Sequence, residues 1–329
     1  MPAETLFEVA RRSFDTPEFR GIECIEVEAK SVVNRVPGGG LPFDYTINPY
    51  RGCTHACTYC FARPTHRFLD MDAGRDFETK IVVKVNAPDV LRRELAARRW
   101  KVDAIAMATG TDPYQRVEGR YRLMRGIIGA LIDARNPFSI LTKATLILRD
   151  VDLLQEAAEH APVSAAFSIG TLDERVWRET EPGTPHPKAR IEAIEELTAA
   201  GIPTGVLMAP ILPGISDAPH QLRAVVEAAI EAGATHVSPI LLHLRPGVRE
   251  EFMPWLERHH PDLVERYETL YRRAYAAPDE RRRMGRQVSA LITAARRRWP
   301  APAIDDTPTS RRGTAPPPAT PAPTQPQLF

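Results

Sequence analysis

The chain has 329 residues, 43% hydrophobic and 26% charged, with a formal net charge of +1, so it can bury a core over one large domain or two ordinary ones. Near-neutral charge gives no whole-chain case for a nucleic-acid or membrane partner, and no run reaches the ~18 apolar residues of a spanning helix. Met1 to Arg20 carries charges throughout and has no apolar signal core, so the expected address is the cytoplasm, with no membrane partner.

In chain order, residues 1–42 read as a polar leader ending in the turn-forming run Pro37-Gly38-Gly39-Gly40. From residue 43, short apolar, β-branched runs recur at 43–48, 103–108, 137–143, 162–169, 203–209 and 236–244. Ile81 to Val85 is expected as an edge strand or as a neighbour of the first. Helical patterns lie between these runs: Ala87 to Trp100, Tyr121 to Ala134, Asp150 to His160, Pro187 to Ala200 and Pro219 to Ala232. Gly201 and Gly233 stand where helix C-caps belong. Alternation of this kind predicts right-handed βαβ units and a parallel sheet. Six units over roughly two hundred residues fit a partial parallel (β/α)6 barrel better than a closed eightfold one, with a doubly wound open sheet as runner-up.

The barrel core is expected over 43–245. A helical C-terminal extension follows over 246–299, with Trp255, Leu256, Leu263, Tyr267, Leu270 and Tyr271 as packing positions. The remainder, 300–329, reads as a disordered tail: residues 301–329 hold eight of the 31 prolines among many Ala and Thr.

The most informative stretch is Asn48-Pro49-Tyr50-Arg51-Gly52-Cys53-Thr54-His55-Ala56-Cys57-Thr58-Tyr59-Cys60. It follows the first barrel-type strand, so it belongs at the mouth where the strands end. Three of the four cysteines fall within eight residues, which argues for a metal centre and against a disulfide framework. A cubane takes one ligand per iron, so three cysteines leave one iron open to an outside ligand. The competing readings are a structural zinc site completed by His55, His66 or Cys24, and a Cys57–Cys60 redox pair.

The C-x3-C-T-Y-C pattern after a first strand resembles the signature of the radical S-adenosylmethionine superfamily, with agreement over about residues 43–245. Asn48-Pro49-Tyr50-Arg51-Gly52-Cys53, Lys80-Ile81-Val82-Val83-Lys84 and Thr111-Asp112-Pro113-Tyr114-Gln115 resemble its spore-photoproduct-lyase-like branch. The resemblance implies a 4Fe–4S cluster on Cys53, Cys57 and Cys60, with S-adenosylmethionine chelating the open iron. It implies reductive cleavage of the sulfonium to a 5′-deoxyadenosyl radical, driven by an external reductant such as flavodoxin or ferredoxin.

By the same resemblance Tyr59 is the aromatic position near the adenine. Thr109, Thr111 and Asp112, in place of the usual Gly-Gly-Glu, would bind the methionine ammonium. Lys143 would pair with the methionine carboxylate and Ser168 would contact the ribose. Met208 belongs to the strand Gly205-Val206-Leu207-Met208-Ala209-Pro210, whose backbone brackets the adenine. Glu181-Pro182-Gly183 and Arg190 recur in the same branch without an assigned role. One departure matters. Spore photoproduct lyases carry a hydrogen-donating cysteine beside the loop after the second strand, and Met107-Ala108-Thr109-Gly110 has none. Cys24, the remaining thiol, could serve only if the leader folded into the mouth.

Two further features bear on partners. From Arg266 to Arg298 there are ten arginines against three acids, a phosphate-attracting excess if it is not simply a solvated helix face. The terminal Gln325-Pro326-Gln327-Leu328-Phe329 resembles the pentapeptide with which bacterial proteins dock on the replication sliding clamp, Gln325, Leu328 and Phe329 being its anchors. Three functions are open at this point. They are radical chemistry on nucleic acid or its components, the same chemistry on a small-molecule or protein substrate, and a non-catalytic zinc-stabilised nucleic-acid-binding module.

Overall fold

A computed structural model of the chain describes residues 7–36 and 43–300. Its strands are β1 (Phe7–Ser13), β2 (Glu23–Glu28), β3 (Val33–Arg35), β4 (Tyr45–Ile47), β5 (Tyr50–Arg51), β6 (Lys80–Lys84), β7 (Ile105–Met107), β8 (Phe138–Thr142), β9 (Val163–Ser168), β10 (Thr204–Ile211) and β11 (Val237–Leu241). The helices are α1 (Arg75–Thr79), α2 (Ala87–Leu95), α3 (Glu118–Tyr121), α4 (Leu123–Asp133), α5 (Val151–Ala158), α6 (Glu174–Thr180) and α7 (Pro187–Ala199). They continue with α8 (Pro219–Glu231), α9 (Arg249–His259), α10 (Val264–Leu270) and α11 (Pro278–Arg298).

The larger sheet has the order β11-β10-β9-β8-β7-β4-β3. Its six strands from β4 to β11 are parallel, each beside the next one of the sheet in sequence, and β3 adds antiparallel to the edge at β4. A strand order that never reverses is that of a partial (β/α)6 barrel and not of a doubly wound sheet, which switches direction midway. The register sorts the side chains. Ile105, Phe138, Ile140, Phe167, Val206 and Val237 share one face and are buried against the helices. The opposite face carries Thr46, Ala106, Ser139, Ala166, Gly205 and Ser238. A closed eightfold barrel fills its interior with large branched residues. Here the inner face is mixed: small residues alternate with Leu141 and Leu207, and the His236 ring stands against Gly205.

Two expectations are corrected. The stretch 1–42 is not only a polar leader, because β1, β2 and β3 come from it. In Glu23-Cys24-Ile25-Glu26-Val27-Glu28, Cys24, Ile25 and Val27 are buried, their apolar surface drawing the strand against β6 while the flanking charges had masked it. Nor does Ile81 to Val85 join the barrel sheet. β6 lies in a separate sheet of order β1-β2-β6-β5, parallel to β2 and antiparallel to β5.

Residues 246–299 hold α9, α10 and α11, and Trp255, Leu256, Tyr267 and Tyr271 are buried there. Helix α11 packs on α8 and β11, which joins the extension to the last barrel unit. Among the described residues no helix is long and apolar enough to cross a membrane. The expected tail over 301–329, with Gln325, Leu328 and Phe329, lies outside the described residues.

Candidate active site

After β4 the chain turns into β5, which pairs with β6, and this brings the cysteine loop to the C-terminal ends of the parallel strands. Gly52 makes the turn possible. Its φ is +79°, and a Cβ there would lie 2.8 Å from the His66 ring and 2.9 Å from the Phe77 carbonyl oxygen. The Cys53 N–H donates to that same carbonyl, at 2.9 Å. Cys53 and Cys57 are buried and Cys60 is half-buried, all with free thiols.

Two side chains that sequence reasoning missed hold the loop in place. Arg63, buried, donates through Nε and Nη2 to the Cys57 carbonyl (3.1 and 2.9 Å) and through Nη1 to the carbonyls of Ala73 and Gly74, and its guanidinium also pairs with Glu78. Gln115 accepts from the Thr54 N–H at 2.9 Å and donates to the Gly52 carbonyl at 2.9 Å. Most of their partners are backbone groups, which leave no mark in a sequence.

Burial pushes all three thiols up, and for Cys53 the nearby Asp112 carboxylate adds to the effect. Thiols so placed ionise when a cation compensates their desolvation, as in a metal site. Among the described residues no three His, Cys, Asp or Glu side chains converge on one point as a single ion requires. A cubane asks for one thiolate at each of three irons, and three sulfurs on one buried loop fit that donor set.

A polar junction adjoins the loop. The Glu181 carboxylate accepts from the Tyr59 hydroxyl, from Lys143 Nζ at 3.0 Å and from Arg190 at 2.5 Å. Burial alone would raise its pKa, but the Arg190 guanidinium and the Lys143 ammonium hold it well below the usual carboxylate range. Lys143 Nζ also donates to Ser168 Oγ at 2.8 Å and stands 5.5 Å from the centre of the Tyr59 ring. Ser168 in turn donates to the Ala209 carbonyl at 2.7 Å. The arrangement follows from the strands: Lys143 directly follows β8, Ser168 ends β9, and both lie on the inner face. Gly183 closes the junction against the cysteines, because a Cβ there would meet the Thr54 carbonyl oxygen at 2.2 Å. Its N–H donates to the His55 carbonyl.

The residues expected to bind the methionine ammonium are brought to the same end, with part of their capacity already engaged. The Thr111 hydroxyl donates to the Gly52 carbonyl at 2.7 Å and is buried. Asp112 accepts from Thr142 Oγ1 and the Lys143 N–H, both at 2.7 Å, and lies 3.4 Å from His55 Nδ1. Burial, ahead of any charge, depresses the pKa of His55, so it is a neutral neighbour near pH 7. Thr109 accepts from Asn48 at 3.1 Å and remains half-buried.

The Met208 side chain and Cys24 lie away from this junction. In the β9–β10 register Ser168 pairs with Leu207, so Met208, one residue on, has its side chain on the outer, helix-facing side and is fully buried. What β10 offers the inner side at this level is Leu207, Ala209 and the backbone. Cys24 sits in β2 opposite Ile81, fully buried, its thiol pushed up to about 11, chiefly by burial. A second buried network braces the site from behind. Glu118 accepts from Tyr50 and Arg149, and Asp150 accepts from Arg149, Arg125 and Tyr114.

The Radical SAM superfamily model matches residues 47–234. An uncharacterised protein of Mycobacterium tuberculosis is 50% identical over 283 residues, covering 85% of this chain and 83% of its own. The radical SAM Nα-GlyT isomerase of Pseudomonas phage M6 is 28% identical over 191 residues, 57% of this chain and 37% of that protein. In fold, spore photoproduct lyase complexed with dinucleoside spore photoproduct is similar with a TM-score of 0.60 at 16% identity, over 89% of this chain and 85% of that one. A doubly substituted mutant of that lyase with bound AdoMet and the same dinucleoside gives 0.59 over the same shares.

Proposed function

Because the chain belongs to the radical SAM superfamily, we propose that Cys53, Cys57 and Cys60 hold a 4Fe–4S cluster and that the enzyme acts on nucleic acid or its components. The observation that carries this reading is the placement of three thiols, two buried and one half-buried, on one braced loop beside a junction with a lysine, at the C-terminal ends of the parallel strands. When bound, the cluster and S-adenosylmethionine supply reductive cleavage of the sulfonium C–S bond, and hence a 5′-deoxyadenosyl radical.

The chain's own residues bind and orient. Lys143, steered by Glu181 and Ser168, directs its ammonium at the methionine carboxylate, and Arg190 keeps Glu181 ionised at the same time. Asp112 and Thr109 face the methionine ammonium, while Thr111 acts one step back by fixing the Gly52 carbonyl. Ser168 contacts the ribose, and Tyr59 with the backbone around Met208 flanks the adenine. Arg63 and Gln115 keep the cysteine loop in register.

The nucleic-acid part rests on three supports. The fold is similar to that of a lyase that binds a dinucleoside lesion. The arginines of α11 attract phosphates, and the terminal pentapeptide resembles one that docks on a sliding clamp. No cysteine stands in the loop after β7, so the repair of the spore lesion itself is not proposed.

The test is anaerobic purification followed by assay of 5′-deoxyadenosine formation with and without DNA or nucleosides. Brown protein carrying iron and sulfide, with turnover stimulated by DNA, is expected. Stoichiometric zinc in a colourless protein would establish the binding-module reading instead. Stimulation only by a small-molecule or peptide pool would move the substrate to the alternative class.

A further inference from the structure

The last parallel strand ends beside the cysteine loop. After β11 the chain runs through Leu242, His243, Leu244 and Arg245 to Gly247, where a Cβ would come within 2.4 Å of Pro64 Cγ. Pro64 is four residues beyond Cys60. The segment that follows β11 is therefore part of the rim around the thiols, not a remote connection.

That rim carries an aromatic and cationic group which the proposed cofactor site does not use. His243 forms an isolated antiparallel bridge with Tyr275, and their rings meet edge to face with centres 4.6 Å apart. Arg245 donates to the Tyr275 hydroxyl at 2.5 Å, and its guanidinium lies 5.4 Å from the centre of the same ring. Tyr275 nevertheless keeps 41% of its surface exposed, in a protein that buries most of its large aromatics. Burial first, then Arg245 and Arg281, pull the His243 pKa down to about 4, so the ring is uncharged near pH 7.

Charge continues away from this point along α11. Asp279 and Glu280 pair with Arg282 and Arg283, whereas Arg245, Arg281, Arg286 and Arg297 make no ion pair among the described residues. Arg281, Arg286 and Arg297 are exposed. Arg286 and Arg297 stand eleven residues apart, about three turns, and so share one helix face. A partly exposed aromatic ring in contact with a guanidinium, close to the start of a helix with exposed arginines, suits an unstacked base and the phosphates next to it. A duplex keeps its bases stacked and offers no such ring contact.

We propose that Tyr275, His243, Arg245 and Arg281 form a single-stranded DNA site on the barrel rim, with a base on the Tyr275 ring and flanking phosphates on the two arginines. The face of α11 through Arg286 and Arg297 carries the strand away from the mouth. This rests on the nucleic-acid reading above for the choice of polymer, and gives it an address.

The experiment uses the reconstituted full-length holoenzyme and a fluorescent oligo-dT, with fluorescence anisotropy read across a salt series. Tyr275→Ala should weaken binding about tenfold and Tyr275→Phe much less, because base–aromatic stacking survives the loss of the hydroxyl. The double variant R245A/R281A should lower the salt slope by about 1.4, two phosphates at about 0.7 each for a single strand. Melting temperature and DNA-independent 5′-deoxyadenosine formation should match wild type in all three, which separates lost binding from lost folding. Wild-type affinity and slope in the variants would overturn the site, and tighter binding of oligo-U than oligo-dT would overturn the choice of DNA. If the wild type forms 5′-deoxyadenosine but binds no oligonucleotide, this inference falls and the radical chemistry stands. If it binds with the losses described but forms none, the reverse holds.

Discussion

At the scale of single residues, Glu181 joins the cysteine loop to the strand ends, since it accepts from Tyr59, Lys143 and Arg190 at once. Its carboxyl is held below the ordinary range in the folded chain. The stability it contributes is complete above the unfolded carboxyl pKa, about 4.3, and drains away as pH falls through the lower folded value. Glu181→Gln leaves two buried cations without that counter-charge and should cost about 3–5 kcal/mol at pH 7. In denaturant titrations the gap to wild type should shrink as pH drops below about 4. A gap that stays constant with pH would mean that Glu181 is not ionised in the fold. If Lys143 holds the methionine carboxylate as proposed, Lys143→Met removes a charge-assisted contact worth about 1.5–3 kcal/mol. Calorimetry should therefore show S-adenosylmethionine binding at least about tenfold weaker, with iron content unchanged.

At the scale of elements, the cysteine loop depends on what grips it. Arg63 reaches three carbonyls and a carboxylate with one planar fork, a task that a lysine's single ammonium cannot repeat. Arg63→Lys should fold but lose iron to a chelator several-fold faster than wild type. Gly183→Ala forces a methyl into the Thr54 carbonyl and should lower iron occupancy in the same assay. Retention equal to wild type in both would separate the loop's geometry from cluster binding.

The six parallel strands and the three thiols were legible in the sequence, because apolar periodicity and C-x3-C-x2-C are local signals. Lys143 and Ser168 were legible as strand ends. Arg63 and Gln115 were not, since what they bind is backbone brought close only by folding. The face that the Met208 side chain takes was not legible, because it is set by register with β9, which one strand alone does not reveal. The β2 strand was hidden in a charged stretch, although its Ile25 and Val27 alternate as a strand should.

At the scale of the whole molecule, a partial barrel carries the chemistry at one end, and a small second sheet and the α9–α11 extension flank it. The extension docks through α11 on α8 and β11, and Tyr275 bridges to His243 just after β11. Deleting Gln325 to Phe329 should abolish capture of the protein by a sliding clamp while leaving S-adenosylmethionine cleavage untouched. Capture that persists without those five residues would remove the clamp from the account. Replacing Cys53, Cys57 or Cys60 singly by Ala should each remove most of the iron, whereas Cys24→Ala should leave it in place.

The most direct measurement is made on the anaerobically reconstituted wild type: reduction with dithionite in the presence of S-adenosylmethionine, followed by chromatography for 5′-deoxyadenosine and methionine. The account predicts both products in equal amounts, and neither from the three cysteine variants. Iron-replete wild-type protein that is reduced, binds S-adenosylmethionine and forms no 5′-deoxyadenosine would contradict it.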